Sequence, residues 1–299
     1  MPKQDIIVCA VDGSEASKTA TKWAANTAVK RGIPLRLVSS YSMPQFLYAE
    51  GMVPPQELYE DLEAETLEKI EEAKKVAIDF VPEVDVSHQI EEGSPIDMLL
   101  DLSEQCTMIV MGSRGLGGLS GMVMGSVSAA VVSHAECPVV VVREDNPLDE
   151  TTKYGPVVVG VDGSDVSQQA TEVAFAEADA RDSELIAVHT WMDMQMQSSL
   201  AGVTAAQADW NEIEQQQISL LEERLQPLVE QYPNVQVKKV ITRDRPVRAL
   251  AEQAEGSQLM VVGSHGRGGF KGMLIGSTSR ALLQSAPSPL MVVRPGVTA

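Results

Sequence analysis

Two glycine-rich stretches hold the residue types best suited to chemistry with an anion. Gly112-Ser-Arg-Gly115 is followed, after nine residues, by Gly125-Ser126, and Gly263-Ser-His-Gly266 is followed, after nine residues, by Gly276-Ser277. Glycine admits positive φ and lets the backbone approach a bulky anion without a Cβ in the way, so N–H groups can turn inward. The segments beyond, Ser126 to Ala135 and Ser277 to Ser285, read as helices whose first N–H groups and serine hydroxyls face phosphate. A single run of glycines would serve equally as a flexible connection. Its recurrence in one chain argues for a binding loop. Neither of the commoner phosphate signatures occurs: G-x-x-x-x-G-K-[ST] is missing, and G-x-G-x-x-G fails because Ser120 and Lys271 stand at the last glycine position.

A second constellation is Ala10-Val-Asp12-Gly-Ser14, repeated as Gly160-Val-Asp162-Gly-Ser164. Asp-Gly-Ser suits a helix cap as well as a carboxylate aimed at a ligand, and the residues leave both open for Asp12 and Asp162. The four histidines, His88, His134, His189 and His265, have no metal-ligand or zincin spacing, and the first three read as surface or satisfied core residues. Ser113 and Ser264 are loop polar groups without a readable histidine–acid partner. A dedicated hydrolase needs a positioned base, a metal pair or a lysine at the γ-phosphate, and no such set is found. No catalytic and no metal-ligating residue is therefore assigned. Met192, Met194 and Met196 beside Trp191 read as a loop packed over the sheet, with a soft apolar surface as the other reading.

The elements that position these loops are written twice. The Val-Asp-Gly-Ser segment recurs at an offset of 150 and the glycine loop at 151, far too long for a solenoid and fitting a duplicated domain. In the first copy, strands are expected at Ile6 to Val11, Leu35 to Ser40, Val84 to Ile90, Met108 to Met111 and Val139 to Val142. In the second they are expected at Val157 to Val161, Glu184 to His189, Val235 to Ile241, Leu259 to Val262 and Leu290 to Val293. Short β-branched runs alternating with helical segments indicate an α/β fold, a parallel sheet with helices on both faces. Leu221, Leu225, Leu228 and Tyr232 form a core-facing helical stripe, matched more loosely by Leu58, Leu62, Ile70, Ala73, Ala77 and Phe80. The domains are read as 1–146 and 155–299, with 147–154, polar and broken by Pro147, as an exposed linker.

Composition narrows the function. A formal net charge of −19, with no basic stripe, argues against nucleic acid as a partner, while a local anion site remains open. Three cysteines, Cys9, Cys106 and Cys137, without C-x-x-C spacing fit a reduced cytoplasm, and no apolar run is long enough for a membrane span.

The G-x2-G-x9-G-[ST] loop after the fourth strand, Val-Asp-Gly-Ser ending the first, and the closing Cys137-Pro138-Val-Val-Val-Val and Ser288-Pro289-Leu-Met-Val-Val runs resemble the ATP-binding class of universal stress proteins, in its tandem two-domain form. The resemblance covers nearly the whole chain, twice. It implies two Rossmann-like domains, each a five-stranded sheet of order 3-2-1-4-5, with adenine near the ends of strands one and two and triphosphate on the glycine loop. On that footing Asp12 and Asp162 contact ribose or a Mg²⁺-bound phosphate. Gly112, Gly115, Gly125, Ser126 and Ser128 hold phosphate in the first half, and Gly263, Gly266, Gly276, Ser277 and Ser279 in the second. Val38 and Val188 line the adenine slot through backbone groups, with plain core strand as the other reading, and Gly160 belongs to the second site.

The copies differ. The first loop carries Arg114 with Leu116 and Ser120, and the second carries His265, Arg267 and Lys271, so tighter ATP binding is expected in the second half. The expected function is regulatory ATP binding in a stress response, with nucleotide biasing conformation or association. A slow ATPase or nucleotidyl-transfer enzyme is the alternative, and a scaffold with structural nucleotide the third. The fifth strands suggest pseudo-twofold pairing of the halves, and the family suggests a homodimer.

Overall fold

The computed structural model describes residues 4–43, 55–115, 124–146, 148–191, 210–267 and 274–297. The chain divides into two compact units, Met1–Asn146 and Pro147–Ala299.

The first unit runs β1 (Ile7–Ala10), α1 (Glu15–Arg31), β2 (Leu35–Tyr41), α2 (Gln56–Phe80), β3 (Val86–Glu92), α3 (Pro95–Ser103), β4 (Met108–Gly112), α4 (Ser126–His134) and β5 (Val139–Val142). Every pairing is parallel and the order is β3-β2-β1-β4-β5, with Ile7 opposite Leu35 on one side and Met108 on the other. The central strands are buried on both faces, as parallel strands under helices must be, and Ile7, Leu35, Leu37, Met108 and Ile109 are at most 1% exposed. Helix α1 packs with α2, and α3 with α4, so each pair covers one face. Ser14 starts α1 by accepting from the Ser17 N–H at 3.2 Å, and Gly32, in the left-handed region at φ 64°, ends it.

The second unit opens with the short helix α5 (Glu150–Lys153) and then repeats the plan. Its elements are β6 (Val157–Gly160), α6 (Asp165–Ala180), β7 (Leu185–Thr190), α7 (Trp210–Gln231), β8 (Val237–Thr242), α8 (Pro246–Gln253), β9 (Leu259–Gly263), α9 (Ser277–Ser285) and β10 (Leu290–Val293). All pairings are again parallel, in the order β8-β7-β6-β9-β10. Leu221 and Leu225 are 1% exposed, Leu228 is buried with them, and Tyr232 meets Phe175 with ring centroids 5.9 Å apart, so the expected stripe is core. In the first unit the shorter Ile70, Ala73 and Ala77 take this role, while Leu58, Leu62 and Phe80 are only partly covered.

Two boundaries shift for one reason. The third strands were expected from Val84 and Val235 but begin at Val86 and Val237. The Val84 N–H donates to the Val81 carbonyl at 3.2 Å and the Val235 N–H to the Tyr232 carbonyl at 3.1 Å, so both valines close a turn around a proline before the ladder starts. Within the 147–154 segment the described residues include α5, where the Thr152 N–H is held by the Asp149 carboxylate at 2.9 Å and Thr152 is 5% exposed, while Tyr154 beyond it is 65% exposed.

Candidate functional site

In the first unit β1 and β4 lie side by side and parallel, so the loops leaving their carboxyl ends meet. This is where an open α/β sheet places its ligand. Helix α1 is capped by Ser14, which leaves Asp12 a different role from the cap its sequence allowed. Asp12 Oδ1 accepts from the Ser14 N–H at 3.0 Å and the Ser14 hydroxyl at 2.7 Å, and the other oxygen abuts Gly115, where a Cβ would collide with it. The carboxylate thus braces one loop against the other.

Gly112 is required by contact, since a Cβ there would stand 2.9 Å from the Ala16 carbonyl carbon and the Ser17 nitrogen. The loop base is then closed. The Ser113 N–H donates to the Val142 carbonyl at 2.8 Å and the Gly125 N–H to the Ser113 carbonyl at 2.9 Å. The Ser128 hydroxyl donates to the Gly112 carbonyl at 2.9 Å. Ser128 therefore ties α4 to β4, leaving its oxygen as an acceptor. Gly125 caps α4 without any side-chain bond, and the first-turn residues Ser126, Val127 and Ser128, whose N–H groups have no partner further back in the helix, line the adjoining cleft.

That cleft has a volume of about 620 Å³, inside the roughly 300–1,000 Å³ range of small-molecule sites. Its polar end is formed by Asp12, Arg114, Gly115 and Ser126. Its other end lies between β2, α2 and α3, with Val38, Ser39, Thr66, Met98 and Leu99. The Val38 carbonyl already accepts from the Val11 N–H at 2.8 Å. Lys69 also lines the cleft but is paired with Glu65 at 2.7 Å, which holds the Glu65 carboxyl below its ordinary range.

The second unit repeats the frame. Asp162 Oδ1 accepts from the Ser164 N–H at 2.9 Å and the Ser164 hydroxyl at 2.7 Å, while Oδ2 accepts from the Arg267 N–H at 3.0 Å and abuts Gly266. The Gly276 N–H donates to the Ser264 carbonyl and the Ser279 hydroxyl to the Gly263 carbonyl, both at 2.7 Å, and Gly276 caps α9 without a side-chain bond, ahead of Ser277. A Cβ at Gly160 would press on Leu250, and Val188 is buried, its carbonyl accepting from the Val161 N–H at 2.9 Å. Ser264 is fully buried, with its hydroxyl 2.9 Å from His265 Nδ1. Leu116, Ser120, Met192, Met194, Met196 and Lys271 lie outside the described residues.

Gln217 and Arg224, which matter here, were not singled out in the sequence, and His189 was read there only as a surface or satisfied core residue. His189 spans from the Val161 carbonyl, 2.6 Å from Nδ1, to Gln217 Oε1, 3.1 Å from Nε2. Arg224, on α7, lays its guanidinium over Gly163, which has φ 81° and no room for a Cβ. Burial pushes the Arg224 pKa down, and the nearby Arg267 adds to that, against the opposing pull of Asp162 and Glu223. The signal was in the duplication: counted from the buried Ile70 and Leu221, Arg224 replaces Ala73 and Gln217 replaces Thr66.

Among the described residues no group of three His, Cys, Asp or Glu side chains could hold a metal, and no helix is long and apolar enough to cross a membrane. The universal stress protein family matches residues 4–143 and again residues 153–294. The chain belongs to the universal stress protein family. A universal stress protein of Mycobacterium tuberculosis, Rv1996, is 38% identical over 303 residues, covering 96% of this chain and 94% of its own. A second from the same organism, Rv2005c, is also 38% identical, over 98% of both chains. A crystal structure of a universal stress protein from Archaeoglobus fulgidus aligns with a TM-score of 0.68 over 97% of this chain and 98% of that one, and at 20% identity the likeness is one of fold. The double match agrees with the tandem arrangement expected from the resemblance, and the strand pairings of each unit agree with the expected 3-2-1-4-5 order.

Proposed function

We propose that this universal stress protein is an ATP-binding regulatory protein of the stress response, whose nucleotide biases conformation or association. The observation that carries the reading is the first-unit cleft, where an apolar end between β2 and α3 runs continuously to an uncapped helix start. ATP has the same polarity, a flat heterocycle at one end and an anion at the other.

The residues present fit the group. Val38, Met98 and Leu99 offer the adenine an apolar slot, Asp12 an acceptor for ribose hydroxyls, and the α4 N–H groups with Arg114 a cradle for phosphate. The close approach at Gly112 and Gly115 keeps side chains out of that cradle. Mg²⁺, when bound with ATP, would offset phosphate charge, and Asp12 is the carboxylate of the cleft that would hold it. Binding then acts by differential affinity for two states of the protein. The odd cysteine count keeps the cytoplasm as the proposed setting.

The test is to denature the purified full-length chain and identify the nucleotide released, then to titrate ATP into protein stripped of it. Intact ATP and a saturable isotherm are expected. Protein that saturates with no adenine nucleotide at millimolar concentration refutes the reading, and sustained release of ADP over many turnovers replaces it with the ATPase.

A further inference from the structure

The two units share one frame but differ at the far end of the cleft and beside the glycine loop. Ala10 pairs with Val38 and Gly160 with Val188 in the same register, so Ser39 and His189 occupy matching positions. Both use the same acceptor: the Ser39 hydroxyl donates to the Val11 carbonyl at 2.7 Å, and His189 Nδ1 lies 2.6 Å from the Val161 carbonyl. Across from them stand Thr66 and Gln217, each four residues before the buried residue that anchors its helix to the sheet.

In the first unit neither side chain reaches across. Ser39 is turned to Val11, and Thr66 donates to the Leu62 carbonyl of its own helix at 2.8 Å, so the space between them belongs to the cleft. In the second unit an imidazole and a carboxamide meet across that space at 3.1 Å. A bridge of two larger, mutually hydrogen-bonded side chains closes the slot that a base would enter, and opening it leaves both polar groups to find new partners.

At the other end the difference has the opposite sign. Ala73 is buried and uncharged, whereas Arg224 at the matching position brings a guanidinium onto Gly163, within Coulomb reach of Arg267 and Asp162. The Arg224 guanidinium stands at the loop start, where the Arg267 charge also acts on it and the Asp162 and Glu223 carboxylates offset part of that repulsion. Guanidinium is the side chain best matched to phosphate oxygens.

We infer that the units hold different ligands: the first takes an adenosine nucleotide by base and phosphate together, and the second takes a polyphosphate-bearing ligand by its phosphates alone, its base slot filled by His189 and Gln217 and its loop reinforced by Arg224. This rests on reading both glycine loops as phosphate sites. It also divides the expectation drawn from loop charge, since tighter phosphate contacts in the second half come with the loss of the base contact.

The experiment is calorimetric titration of the full chain with ATP and with inorganic triphosphate, using Gly115→Asp to disable the first site and Gly266→Asp to disable the second, with circular dichroism to confirm folding. The Gly266→Asp protein is expected to prefer ATP over triphosphate by about thirtyfold, the ratio that roughly 2 kcal/mol of base burial gives. The Gly115→Asp protein is expected to bind the two within about threefold, and adding Arg224→Ala to weaken both about tenfold. His189→Ser with Gln217→Thr, which leaves every loop glycine in place, should restore a preference for ATP at the second site. A second site that prefers ATP as strongly as the first while His189 and Gln217 are intact overturns the inference and leaves ATP binding standing. Failure of both variants to bind ATP overturns the nucleotide reading itself.

Discussion

Gly115→Ala isolates the contact that joins the two loops of the first site. Gly115 does not have a left-handed φ, so its backbone accepts alanine, and the obstacle is Asp12 Oδ2. The carboxylate cannot simply swing away, because Oδ1 holds both the N–H and the hydroxyl of Ser14. Giving up one charge-assisted bond costs about 1.5–3 kcal/mol, and the lower chain entropy of alanine in the unfolded state returns about 0.4–1 kcal/mol. The single substitution should therefore destabilise the first unit by about 1–2 kcal/mol. In an Asp12→Ala background the obstacle is gone, and the same substitution should stabilise by about 0.5 kcal/mol. Native-state hydrogen exchange of α1 and α4 peptides reads the local free energy in all four proteins. The coupling should be about 2 kcal/mol, and additivity to within about 0.5 kcal/mol would refute the bracing role of Asp12.

Other expectations follow from buried groups. Arg181 and Glu177 pair at 2.9 Å with both side chains fully buried, so Arg181→Met alone should cost about 3–5 kcal/mol in urea unfolding, and Glu177→Leu added to it should recover most of that. Cys106 and Cys137 place their sulfurs 3.6 Å apart, where the second unit has Ser257 and Ser288 hydrogen-bonded at 2.9 Å. Cys106→Ser with Cys137→Ser should therefore cost less than the sum of the single variants, each of which leaves one buried hydroxyl without that partner. Burial pushes the Cys9 thiol from 9.0 up to about 12. The folded chain keeps this proton where the unfolded chain loses it, so the stability it contributes is complete below pH 9 and lost as pH rises toward 12, by up to about 1.4 kcal/mol per unit. Cys9→Ala should flatten that decline in stability measured at pH 8, 9.5 and 10.5.

The fold was readable because strands buried on both faces advertise themselves as β-branched runs, as in Val139–Val142 and Val157–Gly160, and because the duplication supplied each assignment twice. The glycine loops were readable because Gly112 and Gly263 are held to their residue type by backbone-to-backbone contact with α1 and by the Val166 side chain respectively. What escaped was set by tertiary geometry. Asp-Gly-Ser does not reveal that Ser14 takes the cap and frees Asp12 to brace Gly115. His189 looked like a satisfied core histidine, which it is, yet its partner Gln217 lies 28 residues away on α7, a separation no local pattern spans. Arg224 was masked by its neighbours, since Leu221, Leu225 and Leu228 define the helix face and an arginine beside them reads as surface.

The central claim is that the first-unit cleft holds an adenosine nucleotide with its base between β2, α2 and α3. Photolabelling of the full chain with 8-azido-ATP, followed by peptide mass spectrometry, tests it most directly. Labelled peptides should contain Val38–Ser40, Thr66–Lys69 or Met98–Leu99, and excess ATP should abolish the label. Label that falls elsewhere in the first unit, or that survives competition by ATP, would contradict the account.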